Sequence, residues 1–189
     1  MNAIVKVNIQ HRDVVVVAGL GAIGLSMINM ASLALPKMVI GIDMREKRLE
    51  MGTSFGADIV LNPAECDVVQ EIKKVTGGLG CDVYMEASGS PKSVNQGLAA
   101  LKNLGRYVQM GVFAEEVKAD WNIIGDGKEL KVIGSHLSAL TYASVIKGIQ
   151  NGYIKTEGLI SHQYALKDWK EAFEATQSDP DAVKIMLIP

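Results

Sequence analysis

The stretch that most limits what this chain can become runs from Val14 to Met27, VVVVAGLGAIGLSM. Four consecutive valines read as a strand buried on both faces, because no polar residue interrupts them. Gly19-Leu20-Gly21-Ala22-Ile23-Gly24 then matches G-x-G-x-x-G and opens into an apolar helical stretch, Ala22–Leu35. The pattern alone is weak, but here it lies between a strand and a helix, where its mechanism requires it. Gly19 permits a tight turn, Gly21 lets the backbone approach a pyrophosphate, and Gly24 lets the helix press on the strand. Amides at the helix start and the helix dipole would then face the phosphates.

An acidic residue is expected at the end of the next strand, to accept hydrogen bonds from the adenine ribose hydroxyls. Asp43 holds that place, followed by Met44. Its carboxylate also bears on the choice of cofactor, because NADP carries a phosphate there. Two unit charges about 4 Å apart repel by roughly 4 kcal/mol at an effective dielectric near 20. Arg45 and Arg48 offset part of this, and the balance predicts NAD. Two other readings compete. The glycines can form a structural turn with Asp43 capping the next helix. An S-adenosylmethionine-dependent methyltransferase also uses a glycine turn and a second-strand acid, although the full glycine spacing argues against it.

The rest of the chain alternates β-branched runs with helical stretches. Strands are expected at Met38–Asp43, Ile59–Leu61, Val83–Glu86, Arg106–Met110 and Leu130–Gly134. Helices are expected at Ala22–Leu35, with Ile23, Met27, Met30, Ala31 and Ala34 on one face, and at Arg45–Phe55. Others are marked by Val68, Val69, Ile72 and Val75, and by Ser90 as cap with Pro91 in first position. This rhythm predicts an α/β fold, a doubly wound parallel six-stranded sheet covered on both faces. Val112–Asp126 breaks the rhythm, and VKADW within it reads as a short extra strand. A C-terminal α/β segment follows, with helices near Tyr142–Gln150 and Lys167–Thr176 and strands near Leu159–Tyr164 and Val183–Ile188.

Composition narrows the function classes. Of the 189 residues, 19 are Lys or Arg and 21 are Asp or Glu, a formal net charge of −2 with no basic block, so no nucleic-acid footprint is visible. No apolar run is long enough to predict a membrane span, and the first ten residues show no leader-like core. The two cysteines, Cys66 and Cys81, form no C-x-x-C, which points to a cytoplasmic protein without a disulfide framework.

Residues that do chemistry are harder to find. None of the five tyrosines has a lysine four positions later, so the short-chain dehydrogenase pair Tyr-x-x-x-Lys is missing. No His-Glu pair or close cysteine set suggests zinc ligands, and His11, His136 and His162 are scattered. Glu86 and His136 are acid–base candidates with no partner visible in the sequence. No catalytic residue and no metal ligand is therefore assigned.

The segments VVVVAGLGAIG, VIGIDMREKRLEMGTSFGADIVLNP, GGLGCDVYMEASGSP and LGRYVQMG resemble the coenzyme domain of zinc-type medium-chain alcohol dehydrogenases. The sorbitol-like and threonine-like polyol branch is nearest, and DWNIIGDGKELKVIGSHL resembles the erythritol/threitol type more loosely. The resemblance implies a Rossmann domain over residues 1–136. Residues 137–189 would be the returning segment of a catalytic domain whose N-terminal, zinc-binding part has no counterpart here. It implies cofactor contacts at Gly19, Leu20, Gly21, Ala22, Ile23 and Gly24 around the phosphates. Asp43, Met44 and Arg48 would meet the adenosine ribose, with Ala87 and Ser88 beside it. Gly111, Val112, Ser135 and His136 would line the nicotinamide.

The reaction implied is hydride transfer between a secondary alcohol or polyol and NAD, with zinc holding the alkoxide in the intact family member. This chain alone is expected to be inactive. A non-catalytic redox-sensing module and a zinc-free quinone-oxidoreductase-like relative remain alternatives. With the other half lacking, Leu159, Ile160, Ile185, Leu187 and Ile188 are expected to be exposed. A homodimer is expected through the edge strand Val117–Asp120.

Overall fold

The computed structural model describes residues 1–137 and 140–189. Ser138 and Ala139, in the segment assigned to the returning part, lie outside the described residues. Six parallel strands form the main sheet: β1 (Val14–Ala18), β2 (Met38–Ile42), β3 (Ile59–Leu61), β4 (Cys81–Glu86), β5 (Leu101–Gln109) and β6 (Lys131–Gly134). Their order is β3-β2-β1-β4-β5-β6. The chain starts in the middle, winds outward through β2 and β3, then crosses to β4 and winds the other way. This is the doubly wound Rossmann order, and it leaves a crevice where the winding reverses, between the carboxyl ends of β1 and β4.

The valine run explains why β1 is central. Every residue of β1 is buried. Val15 and Val17 join the core on one face, with Leu20, Leu25, Ile28, Val83 and Met85. Val14, Val16 and Ala18 join the core on the other, with Ile40, Ile72 and Tyr84. A strand turns alternate side chains to opposite faces, so only an uninterrupted apolar run fills both. Fully burying each valine contributes about 1.5–3 kcal/mol.

The helices of this part are α1 (Asn2–Val7), α2 (Ala22–Leu33), α3 (Glu46–Ser54), α4 (Val68–Val75) and α5 (Pro91–Ala100). The helices begin and end at local signals in the sequence. Leu35 is left-handed just before Pro36, and Gly56 at φ 110° closes α3. Asp67 caps α4 by accepting from Val69 N and Gln70 N. Pro91 opens α5, but Ser90 makes no side-chain cap bond there. Its own amide instead donates to Ser88 Oγ at 3.1 Å.

Several expectations need correction. α1 was not foreseen, since six residues carry too little periodicity; Ala3 and Val7 are buried in the core, and Arg106 donates to Val7 O and Asn8 O. α2 is not one-sided: Leu25, Ile28 and Asn29 are buried as well, whereas Ile23 is 55% exposed. β5 starts at Leu101, with a register break against β4 between Cys81 and Val83. Val117–Asp120, expected as a short extra strand, pairs with no strand among the described residues. Val117 and Ala119 pack on the core while Lys118 and Asp120 are exposed.

The C-terminal part contains α6 (Tyr142–Gln150), β7 (His162–Ala165), α7 (Trp169–Ser178) and β8 (Ile185–Ile188), with β7 and β8 paired in parallel. Of the five residues expected to be exposed, only Ile160 and Ile188 are. Ile185 and Leu187 are half-buried, and Leu159 packs on the core that contains Val15 and Val17. No helix among the described residues is long and apolar enough to cross a membrane.

Candidate functional site

A cavity of about 560 Å³ opens at the reversal point, walled by Gly19, Gly21, Asp43, Arg48, Ala87 and Ser88. Met44 and Arg45 extend the same wall. Pro63 and Ala64 after β3, and Lys92 and Gln96 on α5, border it as well.

The three glycines differ in what constrains them. Gly19 has φ 91°, and a Cβ there would come 2.6 Å from Ser88 Cα. The turn and the β4–α5 loop are therefore in contact only because Gly19 has no side chain. A Cβ on Gly24 would meet Gly19 O at 1.7 Å, so Gly24 seats α2 against the turn. A Cβ on Gly21 would meet nothing within 4 Å. Gly21 also lines the cavity, so the space such a Cβ would take is space for a ligand. α2 begins at Ala22 with no side-chain cap and no acidic residue in its first turn. Its positive end is thus offered to an anion.

Asp43 is 9% exposed at its side chain. Its Oδ2 accepts from Leu20 N at 2.8 Å and its Oδ1 from Arg45 N at 3.0 Å. The carboxylate therefore organises the turn and the start of α3 while facing the cavity. The competing reading of Asp43 as the cap of the next helix is not met: Arg45 holds the N-cap place of α3 with no side-chain cap bond, and Asp43 instead closes a turn just before it. Arg48 Nη1 lies 3.8 Å from Asp43 Oδ2, and its Nη2 donates to Ala182 O at 2.9 Å. Burial lowers the Arg48 pKa from its ordinary value; Asp43 acts to raise it and Arg45 to lower it.

Glu86 is the residue whose place the sequence did not disclose. It is fully buried at the end of β4. Its Oε1 accepts from Ser88 N at 2.8 Å, from Ser88 Oγ, and from Gly89 N at 3.1 Å. Its Oε2 accepts from Gln109 Nε2 at 3.2 Å, and Gln109 also donates to Gly111 O at 2.7 Å. One carboxylate thus ties the β4–α5 loop to the end of β5. A Cβ on Gly111 would meet Glu86 Oε2 at 2.1 Å, so that position is closed to any side chain. Buried and bonded to Ser88, Gly89 and Gln109, Glu86 is a positioning residue for the two loops. The Glu-Ala-Ser-Gly sequence at a strand end was the available signal, since short donors follow the carboxylate at once.

The remaining expected residues divide. Leu20 is fully buried beneath the turn. Ala22, Ile23 and Gly24 form the first turn of α2. Gly111, Val112, Ser135 and His136 lie past the carboxyl ends of β5 and β6, on the same sheet edge but outside the cavity wall. Val112 is 90% exposed. Ser135 N donates to Gln109 O at 3.1 Å, and Asn2 Nδ2 reaches Ser135 Oγ and His136 O at 3.3 Å. Among the described residues no group of three or more His, Cys, Asp or Glu side chains is placed to hold a metal ion.

A reversing parallel sheet with a glycine turn, an uncapped helix start and a second-strand carboxylate defines a Rossmann-type dinucleotide fold. Residues 22–151 match the model of the zinc-binding dehydrogenase family. The chain belongs to that family. It is 41% identical over 189 residues to an erythritol/L-threitol dehydrogenase of Mycolicibacterium smegmatis, spanning all of this chain and 52% of that protein. The 2R,3R-butanediol dehydrogenase of Bacillus subtilis superposes with a TM-score of 0.90 at 26% identity, over 100% of this chain and 54% of that one. A dehydrogenase of Escherichia coli CFT073, described as a short chain alcohol dehydrogenase and solved with NADH, superposes with a TM-score of 0.88 at 26% identity, over 97% and 54%. The chain thus spans about half the length of these relatives.

Proposed function

We propose that this chain is the NAD(H)-binding part of a zinc-dependent polyol or secondary-alcohol dehydrogenase. The whole protein would transfer a hydride between a carbinol carbon and the nicotinamide. The observation that carries this reading is the cavity wall that joins Gly21, open to the ligand, with Asp43, whose carboxylate is fixed on the turn. The NADH-bound neighbour supports the same ligand.

In this reading Gly19, Leu20, Gly21, Ala22, Ile23 and Gly24 seat the pyrophosphate with main-chain amides and the α2 dipole. Asp43 accepts the adenine ribose hydroxyls, with Met44 and Arg48 beside it. Ala87 and Ser88 border the ribose on the β4 side. Gly111, Val112, Ser135 and His136 face the nicotinamide. Zinc, which polarises the alcohol when bound, belongs to the part of the relatives outside this chain, and no residue here is assigned to it. Residues 1–136 form the cofactor domain and 137–189 the returning part of the catalytic domain. The unpaired, alternately buried Val117–Asp120 segment supports a homodimer in which it pairs with its twin. Two free cysteines, one of them buried, support a cytoplasmic setting.

Calorimetric titration with NADH and then NADPH tests the reading. Saturable binding with NADH the tighter ligand is expected. A folded chain that binds neither would overturn it.

A further inference from the structure

The start of α3 is tied to one short stretch of C-terminal chain by three basic side chains. Arg45 Nη1 donates to Pro180 O at 2.9 Å. Lys47 Nζ pairs with Asp181 Oδ2 at 2.7 Å. Arg48 Nη2 donates to Ala182 O at 2.9 Å. Side chains 45, 47 and 48 thus meet residues 180, 181 and 182 in order.

The stretch is itself held. Asp181 N donates to Asp179 Oδ1 at 2.7 Å, and Ala182 N donates to Asp179 O at 3.2 Å. Asp179 faces His162 at 3.1 Å, and Val183 N donates to Ser161 Oγ at 2.9 Å. Ala182 is buried. The turn is therefore anchored at the start of β7 and can hold the arginines in place.

Both arginines belong to the cavity wall beside Asp43. A guanidinium is suited to grip a phosphate through two parallel N–H bonds. Here one Nη of each is spent on a main-chain carbonyl, and Arg48 Nε is buried without a partner. A donor left unpaired in a buried site opposes the rotamer that leaves it so. The two carbonyls and the ion pair must therefore supply what keeps these side chains as they are.

We propose that residues 180–182 are a specificity-determining latch. By occupying Arg45 and Arg48 they withhold both guanidinium groups from the 2′-phosphate of NADP, so that selection of NAD does not rest on Asp43 alone. This inference rests on the NAD(H)-binding reading above.

The test is a cycle of variants of this chain titrated with NADH and NADPH: Asp43→Ser, the loosened latch Pro180→Gly with Asp181→Gly, and all three changes together. The latch variant alone is expected to keep NADH affinity within about threefold, which shows that it folds. Asp43→Ser alone is expected to gain little NADPH affinity. The combined variant should bind NADPH at least about tenfold more tightly than Asp43→Ser, and adding Arg45→Ala and Arg48→Ala should abolish that gain. If the glycine pair prevents folding, Asp181→Asn in the Asp43→Ser background replaces it, with a gain of about threefold expected. Equal NADPH affinity with and without the latch overturns the inference while leaving the NAD(H) reading intact. A folded wild-type chain that binds neither dinucleotide overturns both.

Discussion

Asp43 Oδ2 accepts the main-chain amide of Leu20 at 2.8 Å, so the acid just past β2 is locked to the glycine turn that follows β1. The same carboxylate holds Arg45 N through its other oxygen. The residue proposed to receive a ribose is therefore also part of the scaffold that shapes the glycine turn.

Asp43→Ala accordingly has two effects. It leaves the buried Leu20 amide unpaired, which should cost about 1–3 kcal/mol of stability by urea denaturation. It should also weaken NADH at least about tenfold, about 1.4 kcal/mol, in a fluorescence titration. Loss of stability with unchanged NADH affinity would confine Asp43 to the scaffold.

The glycines should separate binding from folding. Gly21→Ala puts a methyl into open cavity, so stability should change by no more than about 1 kcal/mol while NADH affinity falls. Gly24→Ala drives a methyl onto Gly19 O and should destabilise by about 1–3 kcal/mol or more. Thermal melts with and without NADH check both.

Glu86→Gln replaces an acceptor with an amide whose NH₂ must face donors at Ser88, Gly89 or Gln109. A loss of about 1–3 kcal/mol is expected, with weaker NADH binding because the β4–α5 loop borders the cavity. Unchanged stability would show that the carboxylate does not organise these loops.

Alkaline pH should destabilise the fold. Burial raises the Cys81 thiol above its ordinary 9.0, and it raises Tyr84 and Tyr107 above their ordinary 10.0. Glu86 and Tyr84 push Tyr107 the same way. Each stays protonated in the folded chain after its unfolded counterpart has ionised. The unfolded state then binds fewer protons, and stability falls as pH rises. The stability is whole below about pH 8.5 and should decline above it, at about 1.4 kcal/mol per pH unit for each group. The decline should steepen past about pH 10, where the tyrosines join. Urea midpoints between pH 7 and 11 check this, and Cys81→Ala should remove the first part of the decline.

Much of this was legible in the sequence because the informative residues are local. The valine run, the glycine spacing and Asp43 are each fixed by one strand or one turn, and the structure places them as that logic requires. Long-range pairings were not legible. Glu86 acquires its role from Gln109 across the sheet, and Arg48 acquires Ala182 from the far end of the chain. α1 was missed because its burial depends on the core beneath it and its last carbonyls are met by Arg106. Val117–Asp120 reads as a short strand from its alternating sequence, yet no strand is formed there, because among the described residues it finds no strand to pair with.

The most direct test of the central claim is an amide-resolved NMR titration of the chain with NADH. The account predicts the largest shifts at Gly19, Leu20, Gly21 and Ala22, with further shifts at Asp43, Met44 and Ser88. Saturating NADH with these amides unmoved, or with shifts centred elsewhere, would contradict it.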